Sequence, residues 1–228
     1  MTTLIWIRGK DLRLHDHPIL ASAGPGDLAV FVLDPYFFAP ERAAKLPHRM
    51  QYLLEALTEL QQSFAARGGQ LHLVKGKSTA VIPALAKAAS VDRVAAMRWT
   101  EPFGRERDDR VANDLHVPLD LYGGETLLRP GTLRTGSGNP YSVFSPFARS
   151  FAKHFSASPP LAAPSRLPQA PLPSGFKRAS VPTMGQLGLW RNPMLIGGGE
   201  TAARARLMKF TGKIGNGYKE NRDRMDVS

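Results

Sequence analysis

The chain has 228 residues, of which 43% are hydrophobic, 21 are glycine, 19 are proline and none is cysteine. That is enough apolar side chain to bury a core, and the lack of cysteine excludes disulfides, thiolate nucleophiles and cysteine metal sites. The formal charge is +11, and residues 165–228 hold +7 of it, which leaves open both polyanion binding by counterion release and a basic surface kept for solubility.

No stretch is apolar for long enough to span a membrane, and the N-terminus lacks the apolar core and cleavage site of a secretion signal, so a cytoplasmic protein is expected. The first strand-like run, Thr3 to Arg8, passes without a break into Lys10, Asp11, Arg13, His15 and Asp16, then Pro18. Loops at the carboxyl ends of strands hold ligands in α/β folds, so this charged edge reads as a binding loop. Further strand-like runs lie at Leu28–Leu33, Gln70–Val74, Arg93–Met97 and Pro118–Leu121.

Helical patterns fill most of the gaps. Met50, Leu53, Leu54, Leu57, Leu60 and Phe64 share a helical face that stops at Gly68-Gly69. Ser78 is expected to cap a second helix that contains Pro83, and a third is expected from about Gly104 to Leu115. Strands alternating with helices over short connections predict an α/β fold, a doubly wound parallel five-stranded sheet with helices on both faces. Beyond it, Gly138-Asn139-Pro140 should turn the chain and Ser145-Pro146 should start a helix by N-cap and first-turn proline.

From Ser156 onward proline, serine, alanine and glycine dominate with little periodicity, which divides the chain into an α/β domain (1–155), an extended linker lying over a surface (156–196) and a C-terminal piece (197–228). In that piece Gly197-Gly198-Gly199-Glu200 opens a helix bearing Ala203, Leu207 and Phe210, and a short segment follows from Tyr218 to Arg224. Two short helices cannot make a core of their own. They are expected to pack on the first domain, to find a partner, or to stay poorly ordered.

Several chemistries find no support. Val74-Lys75-Gly76-Lys77-Ser78 looks like the end of a phosphate loop, but Leu71 stands where its first glycine belongs. There is no dinucleotide glycine fingerprint, no paired-histidine zinc motif and no serine nucleophile elbow, so no metal site and no catalytic residue is assigned. Glu101 precedes Pro102 in the loop after the fourth strand, a position that directs it toward a crevice. Glu106 through Arg110 can pair along the surface of the helix that follows.

Three blocks resemble DNA photolyases and cryptochromes. The first is Trp6, Arg8, Asp11-Leu12-Arg13-Leu14, Asp16, His17 and Pro18, with one residue more than the family pattern among Ile7 to Lys10, and Glu101-Pro102-Phe103-Gly104 matches a further stretch. The second is Asn139-Pro140-Tyr141-Ser142-Val143-Phe144-Ser145-Pro146-Phe147, preceded by Leu127 and Pro130-Gly131; read physically, its aromatic residues are packing groups. The third is Gly198-Gly199-Glu200, Ala202, Ala203, Leu207 and Phe210, then Tyr218, Arg222 and Asp223.

The resemblance implies a protein of light-driven repair of pyrimidine dimers, in which excited FAD donates an electron to damaged DNA and an antenna pigment in the α/β domain feeds it energy. It implies that Tyr218 is the first FAD contact and Arg222 a DNA phosphate contact. After Met225-Asp226-Val227-Ser228 the family would continue into the large helical domain that encloses FAD, so this chain is expected to bind an antenna pigment and to lack repair activity unless that domain is supplied. The expected antenna crevice consists of Arg8 and Lys10 from the first loop, Asp34 and Phe37 after the second strand, and Glu101 after the fourth. Phe103 and Gly104 stand about where folate-type members carry Asn and Glu, which favours a flavin or deazaflavin over a folate. A cryptochrome-like light sensor and an inert nucleotide- or flavin-binding α/β module are the alternatives.

Overall fold

The computed structural model describes residues 1–214 and 217–224. Met225–Ser228, where the family resemblance is expected to break off, lie outside the described residues. Five strands, β1 (Thr3–Ile7), β2 (Leu28–Leu33), β3 (Leu71–Lys75), β4 (Arg93–Met97) and β5 (Leu119–Tyr122), form one sheet in the order β3-β2-β1-β4-β5. Every pairing is parallel, with Leu4 beside Leu28 and Thr3 beside Arg93. The strand order reverses on either side of β1, which opens a crevice at the carboxyl ends of the strands.

Side chains that alternate along each strand build two cores. Ile5, Ile7, Phe31, Leu33 and Leu73 face Leu57, Leu60 and Phe64 of the long helix α4 (Pro47–Ala65). Leu4, Trp6, Val30, Val32 and Val94 face Ile82 and Leu85 of α5 (Ser78–Ala88) and Val111 of α6 (Pro102–Asp114). Both faces of the sheet are covered, so its central strands read as continuous apolar runs. Short helices α1 (Pro18–Ala21), α2 (Pro35–Phe38) and α3 (Pro40–Ala43) decorate the connections. Several boundaries read from the sequence move: β1 ends at Ile7, and β3 and β5 each start and end one residue later than expected. Pro102 takes the first turn of α6, Phe144 that of α7 (Phe144–His154), and Ser78 is the first residue of α5 rather than its cap.

The proline-rich segment runs along the open edge of β3. Gln70 N–H donates to Pro168 O, Ala170 N–H to Asp27 O, and Ala179 N–H to Leu73 O, where an antiparallel bridge forms. Leu167 enters the first core, and Leu172 and Phe176 pack on the second. An edge strand that would otherwise expose its polar backbone is thereby paired.

Two helices stand apart from the sheet. α7 buries none of its residues, and Tyr141, Phe147, Phe151 and Phe155 pack ring against ring along it. α8 (Glu200–Lys209) instead docks on α4. Gly198 N–H donates to Glu55, and the Thr201 N–H and hydroxyl both donate to Glu59. Glycine is required here, because a Cβ at Gly198 would lie 2.4 Å from the Tyr52 carbonyl oxygen and Gly199 has φ of +119°. A last short helix, α9 (Tyr218–Asn221), follows. Among the described residues no helix is long and apolar enough to cross a membrane.

Candidate functional site

The loop that leaves β1 is tied to itself before it reaches any ligand. Arg8 N–H donates to Asp11 Oδ1 and Asp11 N–H to Arg8 O. Asp11 lies fully inside, and burial raises its carboxyl to about 6 against the nearby Arg8 and Arg13 charges. His17 is also buried; its Nδ1 accepts the Leu20 N–H at the start of α1, and burial, with Arg13 nearby, lowers it to about 4.

Arg8 runs into the crevice. Its Nη1 donates to both carboxylate oxygens of Asp108 on α6, at 2.8 and 2.9 Å, and the Arg107 guanidinium donates to the same carboxylate. Arg8 and Arg107 both stack near Trp6 and Trp99, with guanidinium carbons 4.5–5.7 Å from the ring centroids. Desolvation and the neighbouring Arg8 charge lower the Arg107 pKa. α6 approaches Trp99 this closely because residue 104 is glycine; a Cβ there would meet the indole at 2.6 Å.

Lys10 bridges two carboxylates, Glu101 at 2.6 Å and Glu125, which also accepts from the N–H and hydroxyl of Thr100. Burial opposes the charge on Lys10, but these two partners prevail and raise its pKa. The second loop is fixed by Asp34, which accepts Tyr36 N–H as the N-cap of α2 and both the N–H and hydroxyl of Ser78 at 2.7 Å. Phe37 stands edge-on to Trp99 and Phe103, and Tyr36 stacks on Phe103 with centroids 4.1 Å apart.

These groups surround a cavity of about 930 Å³ at the strand carboxyl ends. Trp6, Arg8, Lys10 and Trp99 line it from the sheet, Phe37 and Phe38 from α2, and Tyr52, Leu53 and Ala56 from α4. α8 closes another side with Ala203 and Leu207. Glu200 holds that side in place, accepting Leu14 N–H, His15 N–H and His15 Nδ1 at 2.8–2.9 Å. Burial pushes the Glu200 carboxyl up, but these hydrogen bonds hold its pKa below the usual value.

Four nitrogens among the described residues are buried without a hydrogen-bond partner: His17 Nε2, which lies off the cavity, and Arg8 Nε, Arg8 Nη2 and Trp99 Nε1, which belong to residues that line it. Leaving buried donors unpaired is costly, and a site for a ligand with acceptor atoms is one reason for a protein to keep them. An apolar, aromatic cavity with a few convergent donors suits a planar heterocycle bearing ring carbonyl or nitrogen acceptors.

Of the expected antenna residues, Arg8, Lys10, Asp34 and Phe37 line this cavity. Glu101 does not. It is 55% exposed and reaches the site only through Lys10, because α6 starts directly behind it and turns its carboxylate along the rim. Asp34 spends its acceptors on α2 and α5, so its role is to shape the loop. Tyr218 and Arg222 do not line the cavity: Tyr218 packs edge-on to Phe210, and Arg222 contacts Asp223. Trp99, Tyr52, Arg107, Asp108 and Glu200 join the site as well, although in the sequence Glu200 marks only a helix start and Arg107 and Asp108 only a helix surface. A tryptophan directly after a strand was the available signal for Trp99.

The sequence model of the DNA photolyase family matches residues 3–168. Deoxyribodipyrimidine photo-lyase of Thermus thermophilus is 36% identical over 98% of this chain and 48% of its own length. A solved Synechocystis cryptochrome superposes with a TM-score of 0.79 at 27% identity, over 97% of this chain and 48% of its own. A Sulfolobus tokodaii photolyase described as holding two FAD molecules, with a novel light-harvesting cofactor implied, shares the fold at a TM-score of 0.66 and 18% identity, over 87% of this chain and 44% of its own. The chain thus spans about half the length of these relatives.

Proposed function

The chain belongs to the DNA photolyase family, and from that premise we propose that its α/β unit holds a planar light-absorbing pigment of flavin or deazaflavin type at the strand ends. The observation that carries this reading is the aromatic cavity lined by Arg8 and Trp99, two residues that keep buried nitrogens without a hydrogen-bond partner. Those donors would fix the pigment's polar edge, while Phe37 and Tyr52 would cover its ring and Trp99 would meet it edge-on. Bound there, the pigment supplies light absorption, and the protein's own residues orient it and exclude water from it. Phe103 at the rim stacks on Tyr36 and offers no polar group to a folate.

In the whole protein the pigment passes its energy to FAD in a helical half, and the substrate is damaged DNA with pyrimidine dimers. Tyr218 is the proposed first FAD contact and Arg222 a proposed DNA phosphate contact; both are exposed, as residues awaiting a partner are. The cytoplasm is the proposed compartment. A second reading, light sensing without repair, is favoured by the likeness to the Synechocystis cryptochrome. Absorption spectroscopy of the purified chain tests the pigment reading: a visible band that co-purifies, or that appears on adding flavin and survives gel filtration, is expected. A chain that remains colourless after both treatments overturns it.

A further inference from the structure

We propose that the cations packed around Trp99 guard the excited state of a pigment bound beside it, by making the indole a poor electron donor; this rests on the pigment reading of the cavity. An excited heterocycle in contact with an indole takes an electron from it. The products are an indole radical cation and a pigment radical anion, and return of the electron converts the absorbed light to heat. A site meant to pass energy onward must suppress that loss.

Trp99 lines the cavity, so a bound pigment meets its ring. Three cations lie at that ring: Arg107 Cζ at 4.5 Å, Lys10 Nζ at 4.8 Å and Arg8 Cζ at 5.7 Å from its centroid. Trp6, the other indole on the cavity wall, has Arg107 and Arg8 at 4.8 and 4.9 Å. A neutral indole attracts these charges through its π face, whereas an indole that has lost an electron is repelled by them. Ion pairs offset part of this field, since Glu101 and Glu125 face Lys10 and Asp108 faces both arginines. It is nevertheless the cations that occupy the ring faces.

The same geometry explains why Lys10 is held by two carboxylates. Two partners fix the ammonium over the ring and keep it charged throughout the neutral range.

The test uses flavin mononucleotide at saturation, confirmed by titration for each protein, with time-resolved fluorescence of the bound flavin as the readout. Lys10→Met is expected to shorten the lifetime at least twofold, Lys10→Arg to restore it, and the double variant Lys10→Met with Trp99→Phe to recover it. Transient absorption of the unmodified protein is expected to show no prompt indole radical. Equal lifetimes in Lys10→Met and the unmodified chain overturn the proposal, as does a prompt indole radical in the unmodified chain or a double variant that stays quenched. Failure of the chain to take up the flavin overturns the pigment reading itself, and the guard with it.

Discussion

Asp11 and His17 lie within the loop that shapes the site, and their burial sets opposite pH dependences against each other. The Asp11 carboxyl is raised from 3.8 to about 6, so the folded state binds more protons than the unfolded state between those values and stability falls as pH rises through that window. His17 is lowered from 6.5 to about 4, so the unfolded state binds more protons there and stability falls as pH drops from 6.5 toward 4. Acidification from pH 7.5 to 5 should then cost about 2 kcal/mol through His17 and regain about 1 kcal/mol through Asp11. Asp11→Asn keeps an acceptor for the Arg8 N–H but removes the compensating proton. Urea unfolding followed by circular dichroism at both pH values should show the variant losing about 1 kcal/mol more than the unmodified chain on acidification, at equal m-values. Taking the difference between the two proteins cancels the titrating groups remote from Asp11; His17, whose Nε2 lies 3.9 Å from Asp11 Oδ2, is followed separately through its own pH midpoint in each protein. Parallel pH profiles for the two would refute the assignment of a buried, proton-hungry Asp11.

Three further outcomes follow from the same contacts. Asp108→Ala strands two buried guanidinium groups and should cost on the order of 3–5 kcal/mol in urea unfolding, the range for breaking a buried ion pair; a loss under about 1 kcal/mol would mean the pair is not buried in solution. Gly198→Ala places a Cβ 2.4 Å from the Tyr52 carbonyl oxygen and should undock α8, read as faster tryptic cleavage after Arg204 and Arg206 with the circular dichroism of the sheet unchanged. Glu200→Gln removes the charged acceptor for three nitrogens of Leu14 and His15 and should loosen the same contact by about 1–2 kcal/mol, with faster cleavage at the same arginines; unchanged cleavage would remove Glu200 from that role.

Local patterns carried the strands, the long helix and the loops that hold Arg8, Lys10, Asp34 and Phe37, because apolar periodicity and strand ends are properties of neighbouring residues. They failed where a contact joins distant segments. Arg107 and Asp108 looked like part of a solvated helix surface with Glu106 and Arg110. The latter two do pair along the outside of α6, whereas Asp108 turns inward to meet Arg8, 100 positions earlier. Glu101 looked directed at the crevice, and only the path of α6 and the position of Lys10 show that it acts from the rim. Glu200 read as the start of a helix in a separate piece of chain; its partners are the backbone N–H groups of Leu14 and His15, which no side-chain pattern marks.

We place a flavin-type pigment in the cavity at the strand ends, on Arg8 and Trp99. Titration of the purified chain with flavin mononucleotide and with a deazaflavin, followed by quenching of tryptophan fluorescence and by isothermal calorimetry, tests it most directly. Saturable one-to-one binding of at least one of them is expected, with a Kd of about 10 μM or tighter, weakened about tenfold or more by Arg8→Met. No saturable binding of either pigment up to about 1 mM, or binding that is indifferent to Arg8→Met, would contradict it.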